Sequence, residues 1–227
     1  IGAEKMGIML DDTACERFAT YYDMLVEGSK VMNLTAVLEP EEAVDRHFLD
    51  CIAPAAKGLL PEGVKIVDVG TGAGFPGLPL ALACPQLQVT LMDAQKKRLN
   101  FLQAVIDELQ VRNVTLVHAR AEDGAQFPQH REKYDVAVAR AVASLSVLSE
   151  YLLPFVKVGG HMMVLKGPGL DDEIEQAQHA LEILGGKYIR TDFETGGVNL
   201  SFDETEQALK VEVTGNDPHF YILNTHP

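Results

Sequence analysis

The sequence contains only three cysteines among 227 residues, at Cys15, Cys51 and Cys84. Their number is odd and their spacing is wide, which excludes a disulfide framework and a Cys-x-x-Cys metal or redox motif. We therefore expect all three to be buried thiols. The histidines and acidic residues also lack the spacing of a zinc or calcium site, so no metal is expected.

Long apolar runs are missing as well. No stretch of the sequence approaches the roughly 20 apolar residues that span a bilayer. The first ten residues lack the basic and apolar pattern of a secretory signal. These absences predict a soluble, cytoplasmic protein that has no membrane partner.

Positive charge is scarce, because 19 lysines and arginines against 33 acidic residues give a net charge of -14. Indiscriminate coating of nucleic acid depends on neutralising phosphates, so this balance counts against it. The basic residues are nevertheless concentrated in the middle of the chain, at Lys96, Lys97, Arg98, Arg120, Arg140 and Lys166. The run 96–98 is either a solvated helix face or a contact for RNA phosphates.

Two hydrophobic patterns divide the chain. Apolar residues recur at three- and four-residue spacing from Phe18 to Val26, which predicts helices in the first sixty residues. From Val64 onward, short apolar runs alternate with amphipathic stretches, as is typical of βα units around a mainly parallel sheet. We expect a helical extension, residues 1–60, packed on an α/β domain, residues 61–227.

Seven strands are expected. Five parallel strands are predicted near residues 65–69, 88–92, 114–117, 136–139 and 161–165. Two more, near residues 208–213 and 220–223, flank a stretch rich in turn-forming residues. The simplest fold is a mainly parallel seven-stranded sheet with a C-terminal antiparallel hairpin formed by the last two strands.

A loop almost without side chains follows the first predicted strand. Gly70, Gly72 and Gly74 permit tight turning and close approach of a ligand to the backbone. The helix that follows offers free N–H groups at its start. Asp93 ends the second strand, 19 residues beyond Gly74, where a carboxylate can accept both hydroxyls of a ribose. Loop and acid together indicate an adenosine-containing ligand.

Three details favour S-adenosylmethionine (SAM) over a nicotinamide dinucleotide. Asp68 precedes the loop and can meet a ligand ammonium group, the glycines follow a G-x-G-x-G pattern, and Pro76 lies just inside the next helix. The alternative is an ordinary surface turn, with Asp93 capping the helix from Ala94 onward.

The ends of the third and fourth strands carry further polar groups. Glu122 and the backbone at Ala121 are placed to read an adenine amino group, although a solvated turn with a helix cap is the alternative. Arg140 ends the fourth strand, and ligands of open α/β sheets lie at the carboxyl ends of strands. We expect Arg140 to bind a phosphate or the methionine carboxylate. The alternative is an ion pair with Asp135 or Glu150 at the rim.

With these residues assembled, the chain resembles the small-subunit ribosomal RNA guanine-N(7) methyltransferase family, known as glucose-inhibited division protein B or methyltransferase G. The resemblance rests on five motifs in order, at residues 33–36, 47–50, 67–77, 140–143 and 165–167. It implies a Rossmann-like class I methyltransferase fold, SAM as methyl donor and a guanine in a loop of 16S ribosomal RNA as target. The substrate form stays open between bare RNA and a small subunit or assembly intermediate.

The resemblance also assigns roles to residues. It implies that the glycine loop, Phe75, the Ala121–Glu122 pair and Arg140 hold the cofactor. The candidate cofactor positions are therefore Asp68, Gly70, Gly72, Gly74, Phe75, Asp93, Ala121, Glu122 and Arg140. Two departures from the family pattern, Gly28-Ser29 for Trp-Asn and Cys51 for serine, put RNA contacts rather than cofactor binding in doubt.

The chemistry requires little from the protein. Guanine N(7) carries a lone pair and no proton, so no general base is needed. The sequence accordingly offers no Ser-His-Asp, Cys-His or paired-carboxylate constellation. The candidates for orienting guanine and its phosphates are Asn33, Thr35, His47, Arg140 and Lys166. For His47, a packed residue on a helix is an equally good interpretation.

Three other functions stay open on the sequence. One is a methyltransferase acting on another nucleic acid. Another is a nicotinamide-dependent oxidoreductase, which shares the glycine loop and acid but needs a hydride-transfer residue that no strand end supplies. The third is a non-catalytic RNA-binding or assembly protein, whose RNA affinity would be indifferent to the cofactor.

Overall fold

The computed structural model describes residues 2–60, 62–140, 143–166, 171–191, 198–203, 208–213 and 219–225. The chain forms two compact units, residues 1–120 and 121–227. Each unit is described separately below.

The first unit begins with helices. Their bounds are α1 Gly2–Lys5, α2 Asp12–Val31, α3 Pro40–Ala43, a π-helical turn Val44–Leu49 and α4 Asp50–Ala56. Asp11 caps α2, because its carboxylate accepts the N–H of Ala14 at 2.7 Å. One face of α2 is buried through Phe18, Tyr21 and Leu25, and α2 contacts the later helices of the same unit.

The rest of the first unit alternates strands and helices, as expected. The elements are β1 Lys65–Val69, α5 Gly77–Ala83, β2 Gln88–Asp93, α6 Lys96–Glu108 and β3 Val114–His118. Strand β2 lies between β1 and β3 and is parallel to both. Its register sets Val69 beside Met92 and Asp93 beside His118. The carboxyl ends of these strands therefore lie along the same edge, where the glycine loop begins.

The second unit holds the remaining elements. They are α7 Ala121–Gly124, β4 Tyr134–Arg140, α8 Leu145–Leu152, a 3-10 turn Leu153–Phe155, β5 Val156–Lys166, α9 Asp171–Ile183, β6 Gly186–Thr191, β7 Val198–Asp203, β8 Ala208–Val213 and β9 His219–Thr225. Strands β4 and β5 are parallel, and β9 lies antiparallel between β5 and β6. Glu173 of α9 accepts the N–H of Leu145 at 3.0 Å, which ties α9 to the start of α8.

The expected C-terminal hairpin between residues 208–213 and 220–223 is wrong. Both strands exist, but β8 pairs with β7, and β9 pairs with β5 and β6. Since both edges of β9 are occupied, β8 has to pair elsewhere. The predicted turn at 214–218 lies outside the described residues.

The expectation that all three cysteines are buried is wrong for one of them. Cys51 and Cys84 are buried, but Cys15 is exposed. Cys15 lies in the first turn of α2, before Phe18, the first buried residue of that helix. No helix in the described part of the chain combines the length and the apolar character that crossing a bilayer requires.

Candidate active site

The glycine loop connects β1 to α5 at the carboxyl edge of the first unit. Its start is fixed to the neighbouring strand, because the N–H groups of Gly70 and Thr71 both donate to the Met92 carbonyl, at 2.9 and 3.1 Å. Gly70 is exposed and Gly72 is partly exposed. A Cβ on Gly72 would meet only the Gly70 carbonyl, at 3.9 Å, so the space above this turn is open.

Gly74 is required for a different reason. Its φ of +110° is a conformation that residues with a side chain rarely adopt. A Cβ there would lie 2.6 Å from the Tyr21 hydroxyl oxygen and 2.9 Å from Leu102. Gly74 therefore allows the loop to pack closely on α2 and α6, whereas Gly72 leaves room on its outer side.

Asp68 holds the two ends of the loop together. The side chain is completely buried, and its Oδ2 accepts the Thr71 hydroxyl at 2.7 Å and the Gly77 N–H at 2.8 Å. A Cβ on Gly77 would meet Leu91 and would come within 2.8 Å of the same carboxylate oxygen. This bracing role of Asp68 was not foreseen from the sequence, which suggested only a contact to a ligand ammonium group.

Asp93 ties the second strand to the loop and to the following helix. Its Oδ2 accepts the Gly72 N–H at 2.9 Å, and its Oδ1 accepts the Gln95 N–H at 2.7 Å. Arg98 Nη1 lies 3.5 Å from the same Oδ2. Asp93 thus holds the glycine loop and the turn just before α6, whose N-cap is Gln95. Its expected contact with a ribose stays a prediction.

Tyr21 connects the helical front of the chain to the loop. It is fully buried, and its hydroxyl donates to the Ala73 carbonyl at 2.5 Å. The sequence pattern identified Tyr21 only as part of an apolar helix face. Its hydrogen-bonding partner is a backbone carbonyl 52 residues away, which leaves no trace in the sequence.

Tyr21→Phe is expected to lower the free energy of unfolding by about 1–3 kcal/mol, because the buried Ala73 carbonyl loses its phenol donor. The loop should also bind S-adenosylhomocysteine (SAH) about fivefold more weakly, a change of roughly 1 kcal/mol. Tyr22→Phe is the matched control, since Tyr22 donates to the Leu38 carbonyl at 2.7 Å, away from the loop. Urea unfolding and calorimetric titration check both variants. Equal SAH affinity for the two would contradict the role of Tyr21.

An aromatic cluster covers the far end of the loop. The His47 ring stacks on Phe75 with centroids 4.6 Å apart and planes 15° apart, and Tyr21 and Phe48 flank the same Phe75 ring. His47 Nε2 lies 2.8 Å from the Thr35 hydroxyl oxygen. His47 therefore contacts both Thr35, another predicted substrate-orienting residue, and Phe75, a predicted cofactor residue. His47 is only 6% exposed, which agrees with a packed role.

Packing explains why glycine stands at position 28, where the family pattern has tryptophan. A Cβ at this position would lie 2.8 Å from Leu34 and 2.9 Å from the Phe101 ring. Phe101, on α6, therefore occupies the space that a larger residue at position 28 would need. Leu34 belongs to the same motif as Asn33, which is exposed in the segment between α2 and α3.

The remaining predicted residues lie in the second unit. Ala121 and Glu122 open α7, Arg140 ends β4 and Lys166 ends β5. Their expected contacts with the cofactor and RNA stay predictions. In the part of the chain that the structure describes, no group of three or more histidines, cysteines or acidic residues could hold a metal ion.

Burial shifts the pKa values of groups that lie outside the glycine loop. Burial lowers the pKa of His130 in the second unit, whose Nδ1 lies 2.7 Å from the Tyr134 hydroxyl oxygen. Burial raises the pKa of the Cys84 thiol at the end of α5. A raised pKa keeps this thiol protonated and unreactive, as expected of a structural cysteine.

Comparisons with known proteins agree with this architecture. A family model described as rRNA small subunit methyltransferase G matches residues 14–199. A ribosomal RNA small subunit methyltransferase G of Alkaliphilus metalliredigens is 46% identical over 221 residues, which is 97% of this chain and 91% of that protein. A protein of the same name from Clostridium botulinum is 47% identical over 177 residues, 78% of this chain and 74% of its own.

The similarity extends to solved structures. A SAM-dependent O-methyltransferase from Thermotoga maritima superposes with a TM-score of 0.55 at 14% identity, covering 89% of this chain and 71% of that one. At this identity the likeness shows the fold alone. It confirms the expected Rossmann-like methyltransferase fold with a parallel sheet.

Proposed function

Because the chain belongs to the rRNA small subunit methyltransferase G family and is thereby a SAM-dependent ribosomal RNA methyltransferase, we propose that it methylates N(7) of a guanine in a loop of 16S ribosomal RNA. The structural observation that carries the proposal is the hydrogen bond between the Gly72 N–H and Asp93 Oδ2. This bond holds the exposed backbone of the loop beside the strand-end carboxylate, which is the arrangement an adenosine-containing donor requires.

The proposed cofactor site fits the residues present. The open space at Gly72 and the exposed Gly70 leave backbone groups uncovered at the edge where ligands of such sheets lie. We assign the ribose hydroxyls to Asp93, and the polar tail to the backbone of Gly70 and Gly72 with Asp68 beneath the loop. Gly74 supports this site by packing the loop on α2 and α6. The adenine is assigned to Ala121 and Glu122, and the methionine carboxylate to Arg140. Phe75 completes the set as the apolar end of the loop. No metal takes part, so chelation with EDTA should leave SAH binding unchanged.

The chemistry follows from positioning. SAM supplies an activated methyl group, and guanine N(7) supplies a lone pair without losing a proton. The protein then has to hold the base in line and exclude water. Among the orienting candidates, Asn33, Arg140 and Lys166 are assigned to the base and its phosphates. Thr35 and His47 are assigned to positioning instead, because they bond each other and His47 stacks on Phe75.

The proposal extends to the architecture and the setting of the reaction. Residues 1–60 form a helical extension that supports the cofactor domain, 61–227, a role suggested by the Tyr21 bond to Ala73. The proposed substrate is 16S ribosomal RNA in the cytoplasm, as bare RNA or within a small ribosomal subunit or assembly intermediate.

Calorimetric titration with SAH, with NAD as control ligand, tests the cofactor site. We expect SAH to bind at micromolar concentrations and NAD to give no heat. Binding of NAD instead of SAH would point to the oxidoreductase that shares the glycine loop and acid. Strong binding of small subunits that SAH leaves unchanged, together with no methyl transfer, would point to a non-catalytic assembly protein.

A further inference from the structure

The Asp93 carboxylate is already heavily engaged. Among its described contacts, Gln95 donates to Oδ1, and Gly72 and Arg98 both approach Oδ2. The Asp93 side chain is only 4% exposed, whereas the Arg98 side chain is 33% exposed. The guanidinium therefore lies on the solvent side of the buried acid, over the group assigned to the ribose.

A ribose needs access to this buried acid. A carboxylate offers about four lone-pair sites, and the N–H groups of Gly72 and Gln95 take two of those on Asp93. The two adjacent hydroxyls of a ribose need the other two sites, one of them on Oδ2, beside which the Arg98 guanidinium lies as an ion pair at 3.5 Å. The N–H groups of Gly72 and Gln95 are backbone groups held by the loop and by the turn before α6. Arg98 is the neighbour on a long, flexible side chain, and its partly exposed ion pair is weak, so it is the group that moves.

We propose that cofactor binding displaces Arg98 from Asp93 and that the released guanidinium then binds a phosphate of the substrate RNA. This inference rests on the proposed function, because it takes Asp93 as the ribose acceptor. Arg98 lies in the first turn of α6, next to the exposed Lys96 and Lys97, so the released cation adds to a basic helix start in an otherwise acidic chain. Planar guanidinium groups match phosphate geometry closely.

The consequence is coupling between the two ligands. In the cofactor-free protein, Arg98 competes with the ribose and is itself held away from phosphate. Once the ribose occupies Asp93, the cation becomes available to RNA. Cofactor and RNA therefore each strengthen the binding of the other, as thermodynamic linkage requires.

Arg98→Gln tests this coupling, with Arg112→Gln as matched control. Arg112 is an exposed arginine in the loop after α6, so the control makes the same substitution in the same unit away from the site. Calorimetry should show that R98Q binds SAH about two- to fivefold more tightly than wild type, the range expected for removal of a partly exposed ion pair. R112Q should match wild type.

The second arm measures binding to small ribosomal subunits that lack the modification, with and without saturating SAH. Wild type and R112Q should bind the subunits more tightly with SAH, and R98Q should lose this enhancement. Unchanged or weaker SAH binding by R98Q would overturn the inference, as would an enhancement that survives in R98Q. Failure of the wild type to bind SAH at all would instead overturn the proposed cofactor site.

Discussion

Gly74→Ala is expected to lower the free energy of unfolding by about 3 kcal/mol. The φ of +110° strains any residue with a Cβ, and the new methyl group would overlap the Tyr21 hydroxyl and Leu102. Neither neighbour moves freely, because both are fully buried and Tyr21 is also bonded to Ala73. SAH binding should weaken about 100-fold, which corresponds to roughly 2.7 kcal/mol. Urea unfolding and titration with SAH measure the two effects.

Two other glycines separate strain from ligand contact. Gly63 has a φ of +75°, and a Cβ added there would meet nothing within 4 Å. Gly63→Ala should therefore lower the free energy of unfolding by about 1 kcal/mol and leave SAH binding intact. Gly72→Ala should lower the free energy of unfolding by about as much, because Gly72 has a φ of +61° and a Cβ added there would be nearly unobstructed. Its methyl group would nevertheless fill the proposed ligand space. SAH binding by G72A as tight as by G63A would contradict the assignment of that space.

Asp68→Ala is the second substitution with a large expected effect. It removes the acceptor of both the Thr71 hydroxyl and the Gly77 N–H, leaving two donors in a completely buried position. Because each unsatisfied buried donor costs about 1–3 kcal/mol, the free energy of unfolding should fall by about 3 kcal/mol or more. Much of the variant is expected in the insoluble fraction at 37 °C.

Thr71→Val is the control for Asp68. It removes one of the two donors at nearly constant volume, so a loss of about 1 kcal/mol and a folded protein are expected. SAH should still bind to T71V, though more weakly than to wild type. If D68A were as stable as T71V in urea unfolding, the carboxylate would not brace the loop.

The sequence predicted the elements whose signals are local. Each of the five strands predicted to be parallel overlaps its predicted position, and the Gly-x-Gly-x-Gly loop follows the first strand as expected. These features were predictable because short apolar runs and glycines are visible in the sequence itself. Asp68 and Asp93 were identified from their places at strand ends. Their donors within the protein were not, because backbone N–H groups are identical at every position.

The predictions that failed depended on distant partners. Strands β8 and β9 were predicted, but their pairing was not, since alternation defines a strand and leaves its neighbour open. Cys15 is exposed because the buried part of α2 begins only at Phe18. The Tyr21 hydrogen bond connects residues 52 positions apart, and the His47 bond to Thr35 links a helix to the segment before it. Residue spacing contains no information about such contacts.

Methyl transfer to ribosomal RNA tests the central claim most directly. Small subunits from cells lacking the modification would be incubated with the purified protein and radiolabelled SAM, and the RNA nucleosides separated by chromatography and mass spectrometry. We expect label in 16S RNA, recovered as 7-methylguanosine, and no label with Gly72→Ala. Label in a different nucleoside, or no transfer by a protein that binds SAH, would contradict the proposed target.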